Sequence, residues 1–212
     1  IIQKALKEVI PNELEKKELY KFANRVLEIT NQIAKEFNAK AMLVGSITRD
    51  TWLPGKREVD IFVLFNENVS RKELEENGLI IGKRVAQSLN AKYIVEFAEH
   101  PYTRIFLNEF SADIVPCYEV KSGEKIKSAV DRSPFHVRYL EKKLKPEQSN
   151  QVRLLKQFLK VNNLYGADAK IQGFSGYLCE LLIIAYGNFI NLLKGALEWK
   201  PGEIIDLENY YK

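Results

Sequence analysis

The feature that most constrains the fold is a small-residue turn followed, after eleven intervening residues, by two carboxylates that open an apolar segment. The turn is Gly45-Ser46, and the segment begins Glu58-Val59-Asp60. Because residues i and i+2 of a strand point to the same face, Glu58 and Asp60 are predicted to project together. Paired carboxylates suit a hard cation such as Mg²⁺, and N–H groups at a turn suit phosphate. The pattern therefore predicts a site for a nucleoside triphosphate and its metal ions.

An acidic pair at the edge of a strand can also be no more than a solvated face. The residues that follow Asp60 argue against this alternative, because positions 61–65 are all apolar. Such a run is typical of a strand that is buried on both faces. Charges on a buried strand are usually paired or bound to a metal. We therefore favour the metal-binding interpretation.

A third carboxylate is expected if two metal ions are to support phosphoryl transfer. Asp113 is the candidate, since it opens the apolar segment Asp113-Ile114-Val115. It could serve as general base for an attacking hydroxyl, or hold a metal that lowers the pKa of that hydroxyl. The alternative is a cap on a turn after Ser111. Beside Glu58 and Asp60, the ligand role is favoured.

Apolar periodicity divides the chain into a mixed first half and a helical second half. The predicted strands are 41–44, 59–65, 92–98, 103–107 and 112–118. The predicted helices follow Pro11-Asn12 and Ser70 in the first half and cover 136–144, 151–161 and 174–193 in the second. The predicted fold class is α+β, with a mixed-sheet domain at 1–131 and an all-helical domain at 132–212.

Charge distribution is more informative than net charge in this chain. A net charge of +4 does not by itself identify a nucleic-acid binder. Between residues 132 and 160, however, there are eight basic residues and only two acidic ones. A local basic stretch on helices suits phosphate contact, and its alternative is an ordinary solvated helix face.

The two cysteines and the apolar stretches point to an ordinary interior rather than to secretion or a membrane. Cys117 and Cys179 lie far apart without metal-ligand spacing, so we expect two buried, unpaired thiols. No signal-peptide pattern is visible. The most apolar stretch, 178–193, is too short and too polar to span a bilayer. We expect a cytoplasmic location and no membrane partner.

Six stretches, in this order, resemble the class I, archaeal-type CCA-adding enzymes, which are tRNA nucleotidyltransferases of the DNA polymerase beta superfamily. They are VGSITRDTWLPGKREVDIFVLF (44–65), AEHPY (98–102), DIVPCY (113–118), IKSAVDRSPFH (126–136), VRLLKQFLKVNNLYG (152–166) and GFSGYLCELLI (173–183). The resemblance implies a catalytic nucleotidyltransferase palm followed by a helical central domain. In the family a tail and a body come next, and we expect this chain to end before them.

The resemblance also implies roles for individual residues. It assigns two Mg²⁺ ions to the three carboxylates described above. The residues that it assigns to the incoming nucleotide are Ser46, Arg49, His136, Lys156 and Tyr165. The first two would contact the triphosphate, and the last three would complete the pocket from the helical domain. His100, which also lies in a matched stretch, is expected near the primer end.

Each of these residues has a simpler alternative when it is taken alone. Arg49 could pair only with its neighbour Asp50, and Lys156 could be one of several exposed lysines. Tyr165, before Gly166, could close a helix. A lone histidine is more often structural than functional.

The activity implied by the resemblance is template-independent addition of CMP and AMP, from CTP and ATP, to the 3′ end of tRNA. One alternative is a related nucleotidyltransferase with another acceptor, of the poly(A) or oligoadenylate type. The other is a nucleotide-binding fragment that binds RNA weakly. The oligomeric state stays open, with a homodimer as one possibility.

Overall fold

A five-stranded mixed sheet organises the first of two units in the computed structural model, which describes residues 2–120, 126–168 and 170–211. The strands are β1 (Lys40–Val44), β2 (Glu58–Asn66), β3 (Lys92–Glu96), β4 (Tyr102–Leu107) and β5 (Phe110–Glu119). Their order across the sheet is β1-β2-β5-β4-β3. Only the central β2–β5 pair is parallel among these strands, and the other three pairs are antiparallel. All five predicted strands are confirmed to within a few residues.

Two long helices, α2 (Glu13–Lys35) and α3 (Arg71–Ser88), pack against the sheet. Asn12 begins α2 with a capping box, in which its side chain accepts from Glu15 N–H and the Glu15 carboxylate accepts from Asn12 N–H. Ser70 begins α3 by accepting from Glu73 N–H. Both helix starts agree with the sequence prediction.

Two glycines let α3 approach the sheet closely. A Cβ at Gly78 would lie 2.7 Å from Pro116, and one at Gly82 would lie 2.2 Å from Thr103 Oγ1. Thr103 pairs with Ile114, and Pro116 is two residues beyond it on β5, so all three share one face. Asp113 alternates with Ile114 and therefore points to the opposite face. Helix α3 thus covers the face that the carboxylates do not use.

Gly82→Ala is expected to lower the free energy of unfolding by about 1–3 kcal/mol, the usual cost of overpacking. The added methyl meets Thr103 at 2.2 Å, and this clash outweighs the helix propensity that alanine gains over glycine, about 1 kcal/mol. Urea denaturation measures the change. Lys83→Ala, at the next and exposed position of α3, is the control. A Gly82→Ala variant as stable as the Lys83→Ala control would contradict the close packing.

The rest of the carboxylate face is covered by residues near the end of the sheet unit. Apolar side chains of β1, β2 and β5 form a core with Val137 of α4 (Ser133–Lys143). Its buried members are Val44, Phe62, Leu64, Cys117 and Val137. Farther along β2 and β5, this face therefore changes from carboxylates to a covered apolar surface.

The second unit is helical and is assembled from three separate parts of the chain. It takes Ile1–Pro11, Arg49–Pro54 and Tyr139–Lys212, whereas the sheet unit takes Asn12–Thr48 and Gly55–Arg138. Its helices are α1 (Ile2–Val9), the end of α4, α5 (Ser149–Val161), α6 (Gly176–Tyr186) and α7 (Phe189–Ala196). The α+β class, with a helical segment after the sheet, is confirmed.

The observed division differs from the predicted boundary at 131/132. Asp131 is fully buried and its carboxylate accepts N–H groups of Tyr118, Lys127 and Ser128, which ties this segment to β5. Val137 then joins the core of the sheet unit. Because of these contacts, residues 132–138 group with the sheet. Residues 1–11 and 49–54 group with the helices.

The single helix predicted over 174–193 is wrong, because two helices occupy this region. Gly187 has a left-handed φ of 81° and ends α6, and the Asn188 side chain then caps α7 by accepting from Asn191 N–H. The two helices are bent by 90° to each other. Within the described residues, no single helix is both long and apolar enough to cross a membrane, although this bent pair reaches the required length and composition together.

Candidate active site

Strand register brings the three predicted carboxylates to one face of the sheet. Asp60 on β2 and Asp113 on β5 are direct partners in the parallel pair, so their side chains point the same way from strands about 4.8 Å apart. Glu58 lies two residues before Asp60 and shares that face. Glu58 is exposed, whereas Asp60 and Asp113 are half-buried. The expectation that these carboxylates lie side by side agrees with the register.

The Gly45-Ser46 turn lies directly beside Asp60. Val44, the last residue of β1, is the register partner of Asp60. Gly45 has a φ of 80°, and a Cβ there would lie 2.8 Å from Asp60 Oδ2. Ser46 begins a 3₁₀ helix, Ser46–Arg49, whose Thr48 N–H and hydroxyl both donate to Gly45 O. Glycine is needed here both for backbone conformation and for room beside the carboxylate.

Gly45→Ala is expected to displace the Asp60 carboxylate and to lower the nucleotidyl transfer that the family resemblance implies by about tenfold or more, since a shift of about 1 Å can cost about a hundredfold. Gly55→Ala is a matched control, because Gly55 has a φ of 79° but a Cβ there meets nothing within 4 Å. Both variants carry the same backbone strain, about 1–2 kcal/mol. Thermal denaturation and single-turnover incorporation measure the two effects. Equal activity losses in the two variants would show that strain alone is responsible.

Burial raises the pKa of Asp60 above its ordinary value. Lys56 opposes this shift, while the neighbouring carboxylates Asp113 and Glu58 add to it and Arg104 lowers it. The folded chain therefore holds Asp60 in a place where its negative charge is costly. A bound cation would relieve that cost, which is one reason to regard this face as a cation site.

Arg104 is a member of the site that the sequence interpretation missed. It is the register partner of Asp113 on β4, and its guanidinium donates to both carboxylate oxygens, with Nε–Oδ1 and Nη2–Oδ2 distances of 2.7 Å. Nη2 also donates to the Tyr102 hydroxyl at 3.3 Å. The hydrogen bonds to Asp113 raise the pKa of Arg104 above its ordinary value. The register of β4 with β5 places Arg104 opposite Asp113, and the sequence analysis predicted the two strands without their register.

The donor set fits a hard divalent cation in kind and in strand position, since it consists of carboxylates on adjacent strands. The present side-chain positions do not complete a coordination sphere. Over residues 2–120, 126–168 and 170–211, no three His, Cys, Asp or Glu side chains converge as metal ligands. Both oxygens of Asp113 are instead occupied by Arg104.

His136 lies on α4, immediately before the core residue Val137 that packs on the carboxylate face. It is half-buried, and burial followed by the positive charge of Arg132 lowers the pKa of His136 below its usual value. A neutral imidazole at neutral pH can both donate and accept a hydrogen bond. The prediction placed His136 in the helical domain, but it groups with the sheet unit.

Arg49 and Lys156 belong to the helical unit, where Arg49 is half-buried and Lys156 is buried. Arg49 donates from Nε and Nη2 to the two carboxylate oxygens of Glu180, at 3.2 and 2.9 Å, and the side chains of this pair are 8% and 2% exposed. Thr51 Oγ1 donates to the same carboxylate. Lys156 Nζ donates to Thr51 O at 3.0 Å. The alternative that Lys156 is an exposed lysine is wrong, since it is 2% exposed.

Tyr165 also lies in the helical unit. Its hydroxyl and the Lys156 ammonium both lie near Gly176, the first residue of α6. A Cβ at Gly176 would lie 3.1 Å from the Tyr165 hydroxyl and 3.7 Å from Lys156 Nζ. Burial raises the pKa of Tyr165 to about 12, so it stays a hydroxyl donor at neutral pH. Tyr165 does not close a helix, because α5 ends at Val161 and Tyr165 forms a bridge with Phe174.

Asp50 pairs with a residue other than Arg49, and His100 pairs with a glutamate. Asp50 accepts from Arg153 Nη2, within the helical unit. In the sheet unit, His100 is 2% exposed and its Nδ1 lies 3.0 Å from Glu75 Oε1, with the ring edge-on to Tyr118. These contacts give His100 a structural setting, and its expected place near the primer end stays a prediction.

Two segments of the chain match known protein families. Residues 23–136 match the family described as nucleotidyltransferase domain, and residues 150–212 match the family described as tRNA nucleotidyltransferase, second domain. The first match covers the Gly45-Ser46 turn, the carboxylates Glu58, Asp60 and Asp113, and His136.

Curated relatives match nearly the whole chain. A CCA-adding enzyme of Archaeoglobus fulgidus is 46% identical over 98% of the chain and 45% of its own length. A CCA-adding enzyme of Methanocaldococcus jannaschii is 44% identical over 100% of the chain and 48% of its own length. The chain therefore spans about half the length of these relatives.

Solved structures share the fold at low identity. A cytoplasmic RNA terminal U-transferase superposes with a TM-score of 0.62 at 13% identity, over 87% of this chain and 50% of that one. A noncanonical poly(A) polymerase complex gives a TM-score of 0.58 at 13% identity, over 87% and 56%. At this identity the likeness concerns architecture only.

Proposed function

The chain belongs to the nucleotidyltransferase domain family, and we propose that it transfers CMP and AMP from CTP and ATP to the 3′ end of tRNA with release of pyrophosphate. The observation that carries the proposal is the register of Asp60 with Asp113 beside the Gly45 turn. The relatives named CCA-adding enzymes support tRNA as the acceptor.

Glu58, Asp60 and Asp113 are the residues that would hold Mg²⁺. When bound, Mg²⁺ would neutralise phosphate charge and lower the pKa of the attacking hydroxyl. The carboxylates orient the reacting groups on the strand face. Asp113 is the carboxylate proposed to stand nearest that hydroxyl and, as a general base, to take up its proton.

In the sheet unit the proposed nucleotide contacts are Ser46 and His136. Arg49, Lys156 and Tyr165 lie in the helical unit, and their contact with the nucleotide stays a prediction from the family resemblance. Ser46 offers a hydroxyl and a backbone N–H at the start of a short helix. Arg49 offers a planar fork and Lys156 a point charge for phosphate. Each of these two already binds protein oxygens, so a nucleotide would have to share or exchange those hydrogen bonds.

An incorporation assay with three acceptors tests the proposed function. The 212-residue chain is incubated with Mg²⁺, labelled ATP or CTP, and either tRNA lacking its CCA end, an unstructured RNA, or no RNA. Incorporation that depends on the truncated tRNA is expected. Equal incorporation into both RNAs would favour an acceptor of the poly(A) or oligoadenylate type.

Nucleotide binding is tested separately from acceptor binding, because the chain spans about half the length of its relatives. Calorimetry with MgATP and MgCTP is expected to detect both nucleotides. Binding of tRNA is expected to be weak and to fall steeply between low and physiological salt, as phosphate contacts do. Tight, salt-resistant tRNA binding would contradict this division of roles.

A further inference from the structure

The carboxylate of Asp113 is held by a guanidinium rather than left open. Arg104 donates to both Asp113 oxygens at 2.7 Å, in the parallel two-pronged geometry that gives the strongest hydrogen-bonded ion pairs. Register sets this pair, because Arg104 and Asp113 are opposite each other on β4 and β5. The side chains are 33% and 17% exposed, so solvent and ions can reach them.

A guanidinium and a cation compete for the same two oxygens. While Arg104 donates to both oxygens, turning Asp113 toward Asp60 on the neighbouring strand would break this two-pronged pair. In the described parts of the chain no three candidate ligands converge, although the backbone places three carboxylates on one face.

Arg104 has a second partner on its own strand. Its Nη2 lies 3.3 Å from the Tyr102 hydroxyl, and its guanidinium carbon lies 5.9 Å from the centre of the Tyr102 ring. If Asp113 is taken by a cation, the guanidinium can keep these contacts over Tyr102. The Arg104 guanidinium therefore keeps a partner after the exchange.

We propose that Arg104 is a positioning residue that holds Asp113 while no cation is bound and is displaced when a divalent cation enters. The inference rests on the proposed function, since it takes the carboxylate face as the cation site. Its consequence is that Arg104 lowers the affinity of the free protein for the cation. Removing a unit charge about 5 Å from a divalent ion is expected to tighten binding roughly tenfold, even with the dielectric constant of water.

Titration with Mn²⁺ alone, followed by electron paramagnetic resonance, tests this inference without any turnover. The proteins are the wild type, Arg104→Gln, Arg104→Lys, Asp60→Asn and the control Arg84→Gln. Arg84 is matched because it makes a two-pronged pair with Glu36, at 2.8 Å and 2.8 Å, on the helices of the same unit. Arg84→Gln changes the net charge by the same amount as Arg104→Gln, but at a position away from the carboxylates.

Arg104→Gln is expected to bind Mn²⁺ about tenfold more tightly than the wild type, with Arg84→Gln unchanged. Arg104→Lys keeps the charge but loses the fork, so its affinity should fall between those of Arg104→Gln and the wild type. The lysine variant carries the test if the glutamine variant fails to fold. Unchanged or weaker binding in the Arg104 variants would overturn the inference.

Failure of the proposed function gives a different result. In that case the wild type and Asp60→Asn bind Mn²⁺ equally, or neither binds it, and the cation site itself is refuted. If the wild type and Asp60→Asn differ but the Arg104 variants match the wild type, only the role of Arg104 is wrong.

Discussion

Asp60→Asn is expected to lower nucleotide incorporation by at least ~10²-fold, because it removes an anionic oxygen from the proposed cation site. The fold should be retained with unchanged or higher stability. Burial, with Asp113 and Glu58, raises the pKa of Asp60 in the folded chain, so ionised Asp60 is a cost that asparagine does not carry. Single-turnover incorporation and urea denaturation measure the two effects.

The stability difference should depend on pH in one direction. A carboxyl whose folded pKa is raised stabilises the folded state when protonated, and this contribution is lost as the pH rises through the folded pKa. The wild type should therefore lose stability relative to Asp60→Asn as the pH rises from acid toward neutral. Glu28→Gln, at an exposed position of α2, is the control for removing an acidic group. Near-normal incorporation by purified Asp60→Asn would refute the metal assignment.

Glu180→Ala is expected to destabilise the helical unit by about 3–5 kcal/mol, the usual cost of removing one partner from a buried ion pair. Glu180 is 1% exposed and accepts two hydrogen bonds from Arg49 and one from Thr51. Its removal leaves a buried guanidinium without this carboxylate. Urea denaturation followed by far-UV circular dichroism measures the loss.

The matched control is Glu141→Ala, an exposed glutamate on α4 whose loss should cost within about 0.5 kcal/mol. Equal stability of Glu180→Ala and Glu141→Ala would show that the buried pair contributes little to the free energy of unfolding.

Arg49→Lys should lose less stability than Glu180→Ala, since lysine keeps the charge but not both donors. If Arg49 also contacts the triphosphate, apparent affinity for ATP and CTP should fall together in Arg49→Lys.

Local pattern was enough to predict the carboxylate strand. The apolar run after Asp60 and the two-residue period of strands fix which side chains share a face, and both are properties of the sequence alone. The parallel pairing that sets Asp60 against Asp113 depends also on the order, direction and register of the two strands, which the sequence pattern did not predict.

Side-chain contacts that depend on tertiary packing or on strand register were not predicted from spacing. Arg49 and Glu180 lie 131 positions apart, and nothing in either neighbourhood predicts their pairing. Arg104 meets Asp113 only because β4 pairs with β5 in one register, where a shift of one residue would turn Arg104 to the other face. The break at Gly187 was visible as a glycine, but apolarity on both sides favoured one helix.

The helical unit takes parts of the chain that are synthesised at very different times. Trp52 and Thr51 accept hydrogen bonds from Arg153 and Lys156, which follow them by 101 and 105 residues. On a ribosome that adds about 5–20 residues per second, these partners emerge on the order of 5–20 s after the segment that needs them. Until those partners emerge, the apolar face of α1 and the Trp52 side chain are without the later segments of the unit in which they are buried, so the nascent chain exposes this apolar surface for that interval.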